Sequence, residues 1–375
     1  MVVCKIVCKV IDNSYTLEQN MPKYFVMKFL YFLKLISVIY MLEIKHTLCP
    51  SCSVGCGINV VLNDGEVVGT FPYKRHPVNS GKNCLNGRNS IDCYKNKFDD
   101  ADVDSLISDV AKELGSASDV TVICSGNSSI DEIEVIKEFA ESKGYTIGFY
   151  ADNLKNYDEV ASYDDVENAE KVFVIGDLLY ENPLIGRRIV HAKQNGAKIF
   201  AFVKSEASVT FNIADEYFNS SVAEFLDAVK DNIDESSVLI FNQVDAVEDL
   251  DNIDALNCKL LPVFSKSNSK GALSILEPKS KDEMFELLDN TKLLLVFDDD
   301  IVDELEYDFS KISKIISFAP CANKTTEISD IVVPIKTWLE KDGSFVNAMG
   351  ETQTFNAAIE SDVLSEIEVI EKLNG

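Results

Sequence analysis

The sequence predicts an α/β protein in which a small, cysteine-rich N-terminal module precedes two doubly wound α/β lobes. From residue 103 to residue 334, short apolar runs alternate with amphipathic stretches, a pattern typical of βαβ units around a parallel sheet. A length of 375 residues exceeds the usual size of a single core. Five segments are therefore expected: an extension (1–40), the module (41–98), a first lobe (99–205), a second lobe (206–355) and a C-terminal tail or helix (356–375).

The expected elements follow the chain in order. Residues 58–71 hold two β-rich runs around Asn63, Asp64 and Gly65, a turn signal that predicts a β-hairpin in the module. The first lobe is predicted to contain helices at 103–114, 129–143 and 183–195 and strands at 119–124, 145–150, 171–176 and 197–203. The second is predicted to contain helices at 221–232 and 280–290 and strands at 237–241, 259–264, 292–297, 313–318 and 330–334. The acid-rich segment 245–254 is expected to be a solvated connector.

The first forty residues contain a strongly apolar stretch at 24–40. Its 17 residues, interrupted by Lys28 and Lys34, fall short of the roughly 20 that a membrane-spanning helix needs. No small-residue cleavage site follows it, which argues against a signal peptide. Residues 1–40 are therefore expected to be a disordered tail or an overextended reading frame, with a tilted membrane anchor as the alternative. Cys4 and Cys8 would then be incidental.

The formal net charge of −27 argues against a nucleic-acid or anionic-lipid partner, because such partners need a surface rich in Lys and Arg. The charge is unevenly distributed. Residues 41–95 hold six Lys or Arg and four Asp or Glu, a net charge of +2, whereas the residues from 96 onward carry −32. A compact, slightly basic module thus precedes a very acidic body.

The module contains four closely spaced cysteines, the motif cysteines: Cys49, Cys52, Cys56 and Cys84. Spacings of two and three residues let one loop wrap three corners of a 4Fe-4S cluster, and a distant fourth thiolate closes it. Gly55 and Gly57 relieve crowding where the backbone passes the cluster. A Cys4 zinc site is the alternative, but such sites usually pair two C-x2-C knuckles, and the second knuckle is missing here.

The other cysteines receive a plainer interpretation. A long chain with ten cysteines, no convincing secretory signal and four thiols within residues 49–84 indicates metal-bound thiolates in a reducing, cytoplasmic compartment. Cys93, Cys258 and Cys321 are expected to be buried thiols.

Residues 49–87 closely resemble the N-terminal Fe-S domain of the molybdopterin oxidoreductase family, and within it the formate dehydrogenase alpha subunits of methanogenic archaea. The resemblance rests on C-x2-C-x3-C, the turn at 63–65, the run KRHPVN at 74–79 and G-K-x-C at 81–84. Residues 163–203 and 328–353 are similar to the family's pterin-binding α/β segments, and the second also resembles the large Fe-S subunit of respiratory complex I. The resemblance implies a 4Fe-4S cluster on the motif cysteines, molybdopterin with Mo or W, and a redox partner subunit or ferredoxin-like carrier.

The sequence departs from the family where the family holds its catalytic metal. There, a Cys or selenocysteine ligand follows the first α/β units, but residues 150–163 contain no cysteine. Cys124 lies too early and is expected to pack at a strand end. Because Ser or Asp ligates the metal in some relatives, Asp152 and Asp158 remain candidates, and the catalytic residues are unknown.

The expected pterin contacts are also altered. The family's lysine two residues after the fourth cysteine is Asn86 here, the expected asparagine after Gly176 is Leu178, and the expected guanine-binding aspartate is Val203. The acidic run 298–300 places three carboxylates where a pyrophosphate would lie. The family's C-terminal β-barrel is also expected to be absent. These departures predict little or no bound molybdopterin.

Other polar residues have structural interpretations. The run SGNSS at 125–129 predicts a helix N-cap rather than an anion site, because acidic residues in the following turn would repel phosphate. Arg187 and Arg188 are expected to pair with nearby acids. The histidines are not spaced as metal ligands are: His46, His76 and His191. Of these, His76 is expected either beside the cluster or in a surface turn.

The leading interpretation is an iron-sulfur oxidoreductase subunit, similar to a shortened formate dehydrogenase alpha subunit, that passes single electrons. A non-catalytic Fe-S scaffold within a larger redox complex is the alternative. A third possibility recruits the missing barrel as a separate subunit, as occurs in the formylmethanofuran dehydrogenases. Four basic residues are expected to surround the cluster on its exposed side and to meet an acidic redox partner: Lys74, Arg75, Lys82 and Arg88.

Overall fold

The computed structural model describes residues 28, 31, 42–98, 102–151, 153–242, 244 and 246–375. The expected extension at 1–40, apart from Lys28 and Tyr31, and the candidate ligand Asp152 lie outside these residues. The chain forms two compact units. The described residues of the first unit are 28, 31, 42–45 and 60–69. Those of the second are 46–59 and 70–375, with the gaps just given. Within the described residues, no helix has the length and apolarity needed to cross a membrane.

The predicted hairpin is confirmed. Strands β2 (Gly57–Asn63) and β3 (Glu66–Pro72) are joined by Asp64 and Gly65, whose φ angles are 54° and 86°. Positive φ at both central residues is what a two-residue type I′ turn requires, and an Asp-Gly pair supplies it at little steric cost. With strand β1 (Leu42–Leu48) they form a sheet of order β1-β2-β3.

Two five-stranded parallel sheets form the body of the second unit, which confirms the α/β fold class. The first sheet comprises β6 (Lys171–Ile175), β7 (Lys198–Phe202), β8 (Glu216–Phe218), β9 (Ser237–Phe241) and β10 (Lys259–Pro262). Its strand order is β10-β9-β6-β7-β8. The second sheet comprises β4 (Val120–Ile123), β5 (Thr146–Gly148), β11 (Leu293–Phe297), β12 (Lys314–Ala319) and β13 (Ile331–Pro334). Its strand order is β13-β12-β11-β4-β5. A separate antiparallel pair joins β14 (Gly343–Val346) and β15 (Thr352–Phe355).

The helices predicted from amphipathic patterns are present: Val103–Ser116, Ile130–Lys143, Pro183–Gln194, Val222–Val229 and Lys281–Asp289. The C-terminal helix Glu366–Asn374 lies in the expected tail. The supposed connector forms the helix Val247–Asp254, because Leu250 and Ile253 are buried. Shorter helices had no prediction: Leu85–Asn89, Asp92–Lys95, Tyr163–Asn168, Leu178–Glu181, Ser269–Ile275, Ile301–Glu304 and Lys324–Glu327, with 3-10 turns at Thr210–Ile213, Lys230–Asn232 and Phe309–Lys311.

The two sheets do not coincide with the chain segments 99–205 and 206–355. Strand β4 pairs with β11, with Val120 opposite Leu293, so the second sheet draws on both segments. The reason is that a local apolar run identifies a buried strand but not its neighbour in the sheet. Each sheet reverses its strand order once, between β6 and β9 in the first and between β4 and β11 in the second. Open α/β sheets bind ligands at such switch points.

The expectation that Cys93 and Cys321 are thiols is wrong. They form a disulfide, with their Cα atoms 5.5 Å apart. Cys93 lies in the helix Asp92–Lys95, and Cys321 follows Pro320, whose carbonyl accepts a hydrogen bond from the Phe98 N–H (3.1 Å). The two cysteines are 228 positions apart, so no local pattern indicates their pairing. The remaining cysteines of the described residues are free: Cys49, Cys52, Cys56, Cys84, Cys124 and Cys258.

Candidate iron-sulfur site

The four motif cysteines border one cavity in the second unit. Cys49 and Cys56 are 5% and 6% exposed, and Cys52 and Cys84 are half-buried. The structure thus brings together all four cysteines that the spacing indicated. The wall is completed by residues of the same loop and of two other segments: Val54, Asn83, Asn182, Pro183 and Leu184.

The cysteine loop closes on itself. The Cys49 N–H donates to the Cys56 carbonyl at 2.8 Å. Gly55 has a φ of +76°, and a Cβ there would lie 2.1 Å from Gln353 Oε1. Glycine is therefore required for both the backbone conformation and the space. Three motif cysteines consequently share one compact turn.

The run at 74–79 ties the rest of the site to this loop. Asn79 is fully buried, its Oδ1 accepts from the Gly57 N–H (2.9 Å), and its Nδ2 donates to the carbonyls of Gly57 (2.9 Å) and Lys82 (2.7 Å). A Cβ on Gly57 would lie 2.3 Å from the His76 ring, so His76 packs directly on the residue after the third motif cysteine. Asn79 thus fixes the segment that leads to the fourth motif cysteine.

The fourth motif cysteine begins a helix that approaches the loop. Cys84 is the N-cap of Leu85–Asn89, and its Sγ accepts a hydrogen bond from the Gly87 N–H (3.3 Å). A Cβ on Gly87 would lie 3.4 Å from Cys49 Sγ and 2.2 Å from Asn83 Oδ1. Glycine at this position therefore lets the backbone approach the sulfurs of both Cys84 and Cys49.

The thiols of the loop resist ionisation in the absence of a cation. Burial raises the pKa of each of them, and that of Cys52 to about 12. The neighbouring motif sulfurs add to the rise, because adjacent thiolates repel one another. Hydrogen bonds act in the opposite direction, from Ser51 to Cys49 and from Asn182 to Cys52. Thiolates in this setting need a cationic metal centre to balance their charge.

These features fit a 4Fe-4S cluster. Each thiolate of a cluster binds a different iron, so the four sulfurs must surround one volume. A Cys4 zinc site instead needs four sulfurs about 2.3 Å from a single ion. In the part of the chain that the structure describes, no group of three or more His, Cys, Asp or Glu side chains is arranged to hold a metal ion. The fit to a cluster rests on the shared, buried cavity and on the glycines beside it.

Two further residues contact the site but have no local sequence signal. Tyr163 is 3% exposed, and its hydroxyl donates to the Val54 carbonyl in the cysteine loop (2.8 Å). Arg188 lies over the Tyr163 ring, 5.8 Å from its centroid, and donates to the Val78 carbonyl (3.0 Å). The expectation that Arg188 pairs with an acid is confirmed by Glu167 at 2.9 Å. The same expectation is wrong for Arg187, which forms no ion pair with the described residues. These contacts join positions 109 and 110 residues apart, which explains why the sequence does not indicate them.

A larger cavity of about 440 Å³ adjoins Cys52 at the switch point of the first sheet. Its lining includes Asn242, which directly follows β9, and Asn182, which precedes the helix Pro183–Gln194. A Cβ on Gly176 would lie 1.9 Å from Asn242 Oδ1, and this oxygen has no hydrogen-bond partner among the described residues. The first switch point is therefore open beside the motif cysteines.

The switch point of the second sheet is filled by the chain itself. The Asn268 N–H donates to the Gly126 carbonyl (2.8 Å), and Asn268 Nδ2 donates to the Ser128 carbonyl (2.9 Å). A Cβ on Gly126 would lie 2.6 Å from Ser269 Oγ, so the two segments are in close contact. The loop after β4 is thus covered where a ligand would otherwise lie.

A buried charge network begins in the helix after that loop. Lys341 Nζ lies 2.8 Å from Glu132 and 3.0 Å from Glu366, and all three side chains are 5% exposed or less. Burial and the charge of Glu132 raise the pKa of Glu366 well above its usual value. Burial also opposes ionisation of Glu132, but Lys341 and a hydrogen bond from Glu366 lower its pKa to about 2. Lys341 thus supplies the cation that balances the Glu132 carboxylate in this buried network.

Replacing Lys341 by methionine should lower the free energy of unfolding by about 3–5 kcal/mol, because Glu132 would keep a buried charge without its cation. Denaturant unfolding followed by circular dichroism measures this change. Lys372→Met is the matched control, since it removes an ion pair with Asp104 (2.6 Å) whose side chains are 44% and 79% exposed. The control should change stability far less. A Lys341→Met protein as stable as the wild type would contradict the structural role of the network.

The acidic run 298–300 has internal partners. Asp299 is 3% exposed and accepts from Lys266 Nζ (2.7 Å). Asp300 accepts from both the N–H and the hydroxyl of Thr325 (2.9 Å each). Burial raises the pKa of Asp298 to about 6. Carboxylates held in this way repel a pyrophosphate, so these residues do not fit the dinucleotide form of a pterin cofactor.

The three altered pterin positions differ in exposure. Leu178 and Val203 are 0% and 1% exposed, so their apolar side chains belong to the core. Asn86 is exposed and lines the 440 Å³ cavity. The resemblance implies a charged side chain at positions 86 and 203 and an amide side chain at position 178. Asn86, Val203 and Leu178 do not supply these groups.

The remaining candidates lie away from the cavity of the motif cysteines. Cys124 is 1% exposed and packs in a hydrophobic core, and Asp158 is exposed. Ser129 caps the helix Ile130–Lys143 with a capping box, which confirms the predicted N-cap. Neither His46 nor His191 lines the cavity.

The fold and the site define a class of protein, an α/β protein with an N-terminal 4Fe-4S domain. Two models of one family match the chain: the molybdopterin oxidoreductase Fe4S4 domain at residues 42–96 and the molybdopterin oxidoreductase domain at residues 235–365. The resemblance to the molybdopterin oxidoreductase family is thereby confirmed. By family, these domains indicate a 4Fe-4S cluster and a molybdopterin-type cofactor.

Curated relatives include two archaeal formate dehydrogenase subunits. The F420-dependent formate dehydrogenase 1 subunit alpha of Methanococcus maripaludis is 31% identical over 194 residues, 42% of this chain and 28% of the relative. The F420-dependent formate dehydrogenase subunit alpha of Methanocaldococcus jannaschii is 27% identical over 209 residues, 47% of this chain and 30% of the relative. The match thus spans less than a third of these relatives.

The fold is also found among solved structures. An example is a chain of the formyltransferase/hydrolase complex (FhcABCD) from Methylorubrum extorquens, crystallised with methylofuran. The TM-score is 0.51 with 11% sequence identity, and the match covers 74% of this chain and 96% of that chain. At this identity the likeness concerns the fold alone.

Proposed function

We propose that this chain is an iron-sulfur subunit of a formate dehydrogenase-like oxidoreductase and passes single electrons through one 4Fe-4S cluster held by the motif cysteines. The observation that carries the proposal is that all four thiols border one cavity. The names of the curated relatives, alpha subunits of F420-dependent formate dehydrogenases, support the reaction class and a partner subunit.

A bound cluster would supply one-electron chemistry, and the chain's own residues hold and shield it. The two buried motif cysteines, Cys49 and Cys56, keep water from one side. The Gly87 N–H and the Asn182 side chain donate to motif sulfurs, and such hydrogen bonds favour the more negative, reduced state. No catalytic step on a substrate is assigned to this chain.

The exposed cations of the site segment are the proposed docking face: Lys74, Arg75, Lys82 and Arg88. Within the described residues, no Asp or Glu forms an ion pair with any of them. The whole chain carries a net charge of −27, so these unpaired cations are suited to meet an acidic redox subunit or ferredoxin-like carrier. Docking there would also shorten the path of the electron.

Reversing two of these charges, Lys74→Glu with Arg88→Glu, should slow reduction by a ferredoxin-like donor at low salt and leave the iron content intact. The reason is loss of electrostatic steering, which is strongest when salt does not screen it. Stopped-flow reduction over a range of ionic strength measures the effect. The matched control is Lys112→Glu with Lys143→Glu, an equal charge change on exposed lysines of two helices in the acidic body. Unchanged kinetics that are also insensitive to salt would assign the docking face elsewhere.

A reductive titration separates electron transfer from the scaffold alternative. We expect the cluster to be reduced and reoxidised repeatedly by ferredoxin-like or flavin reductants without loss of iron. A cluster that cannot be reduced unless the protein unfolds would instead favour the scaffold.

A further inference from the structure

We propose that the positive charge of Arg188 raises the reduction potential of the cluster, an inference that rests on the proposed function. Its side chain is 12% exposed and contacts two segments of the site. The guanidinium donates to the Val78 carbonyl (3.0 Å), in the run that leads to the fourth motif cysteine. It also lies over the ring of Tyr163, whose hydroxyl holds the Val54 carbonyl of the cysteine loop (2.8 Å). The charge is thus fixed against the two segments that carry the motif cysteines.

The charge has a definite effect on the site. An arginine stays protonated at any pH of interest. Burial and the neighbouring sulfurs raise the pKa of Cys56, and the Arg188 guanidinium opposes that rise. Reduction adds one negative charge to the cluster, and a nearby cation in a poorly solvated site favours the reduced state. Arg188 therefore raises the reduction potential.

The acid beside Arg188 limits this effect. Glu167 lies 2.9 Å from the guanidinium and is 24% exposed, whereas Asp164 lies at 3.4 Å and is 85% exposed. Solvent screens the exposed carboxylate more strongly, so Glu167 is the main countercharge. Removing Arg188 and removing Glu167 should consequently shift the potential in opposite directions.

The test is a redox titration followed by the EPR signal of the reduced cluster. Arg188→Gln should lower the midpoint potential, changing the reduced-to-oxidised ratio at a fixed ambient potential about tenfold, which equals about 59 mV for one electron. Arg188→Lys should retain most of the wild-type value because it keeps the charge. Arg187→Gln is the matched control: this neighbour on the same helix forms no ion pair with the described residues and should leave the potential unchanged.

Glu167→Gln provides the test of sign. It should raise the midpoint potential, because Arg188 then acts without its countercharge. A general loosening of the site would move Arg188→Gln and Glu167→Gln in the same direction. Shifts of opposite sign therefore identify the charge of Arg188 as the cause.

The outcomes separate this proposal from the proposed function. A wild-type protein without a reducible cluster would overturn the proposed function and this inference with it. A wild-type protein that titrates reversibly, together with an Arg188→Gln protein of full iron content and unchanged midpoint, would overturn the role of Arg188 alone. If the Arg188→Gln protein loses its iron, the Glu167→Gln protein provides the test. An unchanged or lowered midpoint potential in that variant overturns the proposal.

Discussion

Replacing Cys84 by alanine should leave the purified chain without stoichiometric iron and acid-labile sulfide. The wild type is expected to hold about four of each, because four thiolates saturate one cubane. Without Cys84 one iron loses its ligand, and the three other motif cysteines belong to a single loop that borders only part of the cavity. Cys52→Ala should have the same effect. Iron and sulfide analysis of protein purified without oxygen measures both.

The matched control is Cys258→Ala. Cys258 is a half-buried free thiol whose pKa burial raises to about 11, and it does not line the cavity of the motif cysteines. This variant should therefore keep its full iron content. Stoichiometric zinc without iron in the wild-type protein would contradict the cluster and favour the Cys4 zinc alternative.

The cysteine site could be predicted from the sequence because most of its information is local. Three motif cysteines fall within residues 49–56, and Gly55, where the sequence predicted only relief of crowding, has a positive φ in the structure. The hairpin at Asp64 and Gly65 was predictable for the same reason, since the turn type depends on two residues. Elements with strong periodicity, such as the helix Ile130–Lys143, belong to the same group.

Long-range contacts could not be predicted in this way. The pairing of β4 with β11, the disulfide between Cys93 and Cys321, and the approach of Arg188 to the site each join positions more than 100 residues apart. The periodicity of apolar residues indicates which face of an element is buried, but not which other element packs against that face. The acid-rich helix Val247–Asp254 was missed for a related reason, because two buried residues outweigh its many charges.

The filled switch point of the second sheet is such a long-range feature, and it bears on the cofactor. From sequence, the acidic run 298–300 indicated only repulsion of a pyrophosphate. In the structure, Asn268 also covers the loop after β4, and Lys266 is already paired with Asp299. A dinucleotide at this sheet would have to displace these contacts and expose buried charges. The open cavity at the first sheet, by contrast, keeps space beside Cys52.

We therefore expect the denatured protein to release little or no pterin. Asn86, Leu178 and Val203 stand where the family resemblance implies polar contacts, and each lost hydrogen bond to a charged group costs about 1.5–3 kcal/mol. Three such losses lower affinity by roughly three to six orders of magnitude, since about 1.4 kcal/mol corresponds to tenfold. The measurement is fluorescence of oxidised pterin released on denaturation, with Mo and W determined on the same sample. A molybdopterin enzyme prepared in the same way serves as the positive control. Near-stoichiometric pterin in this chain would show that the open cavity at the first sheet binds the cofactor through other contacts.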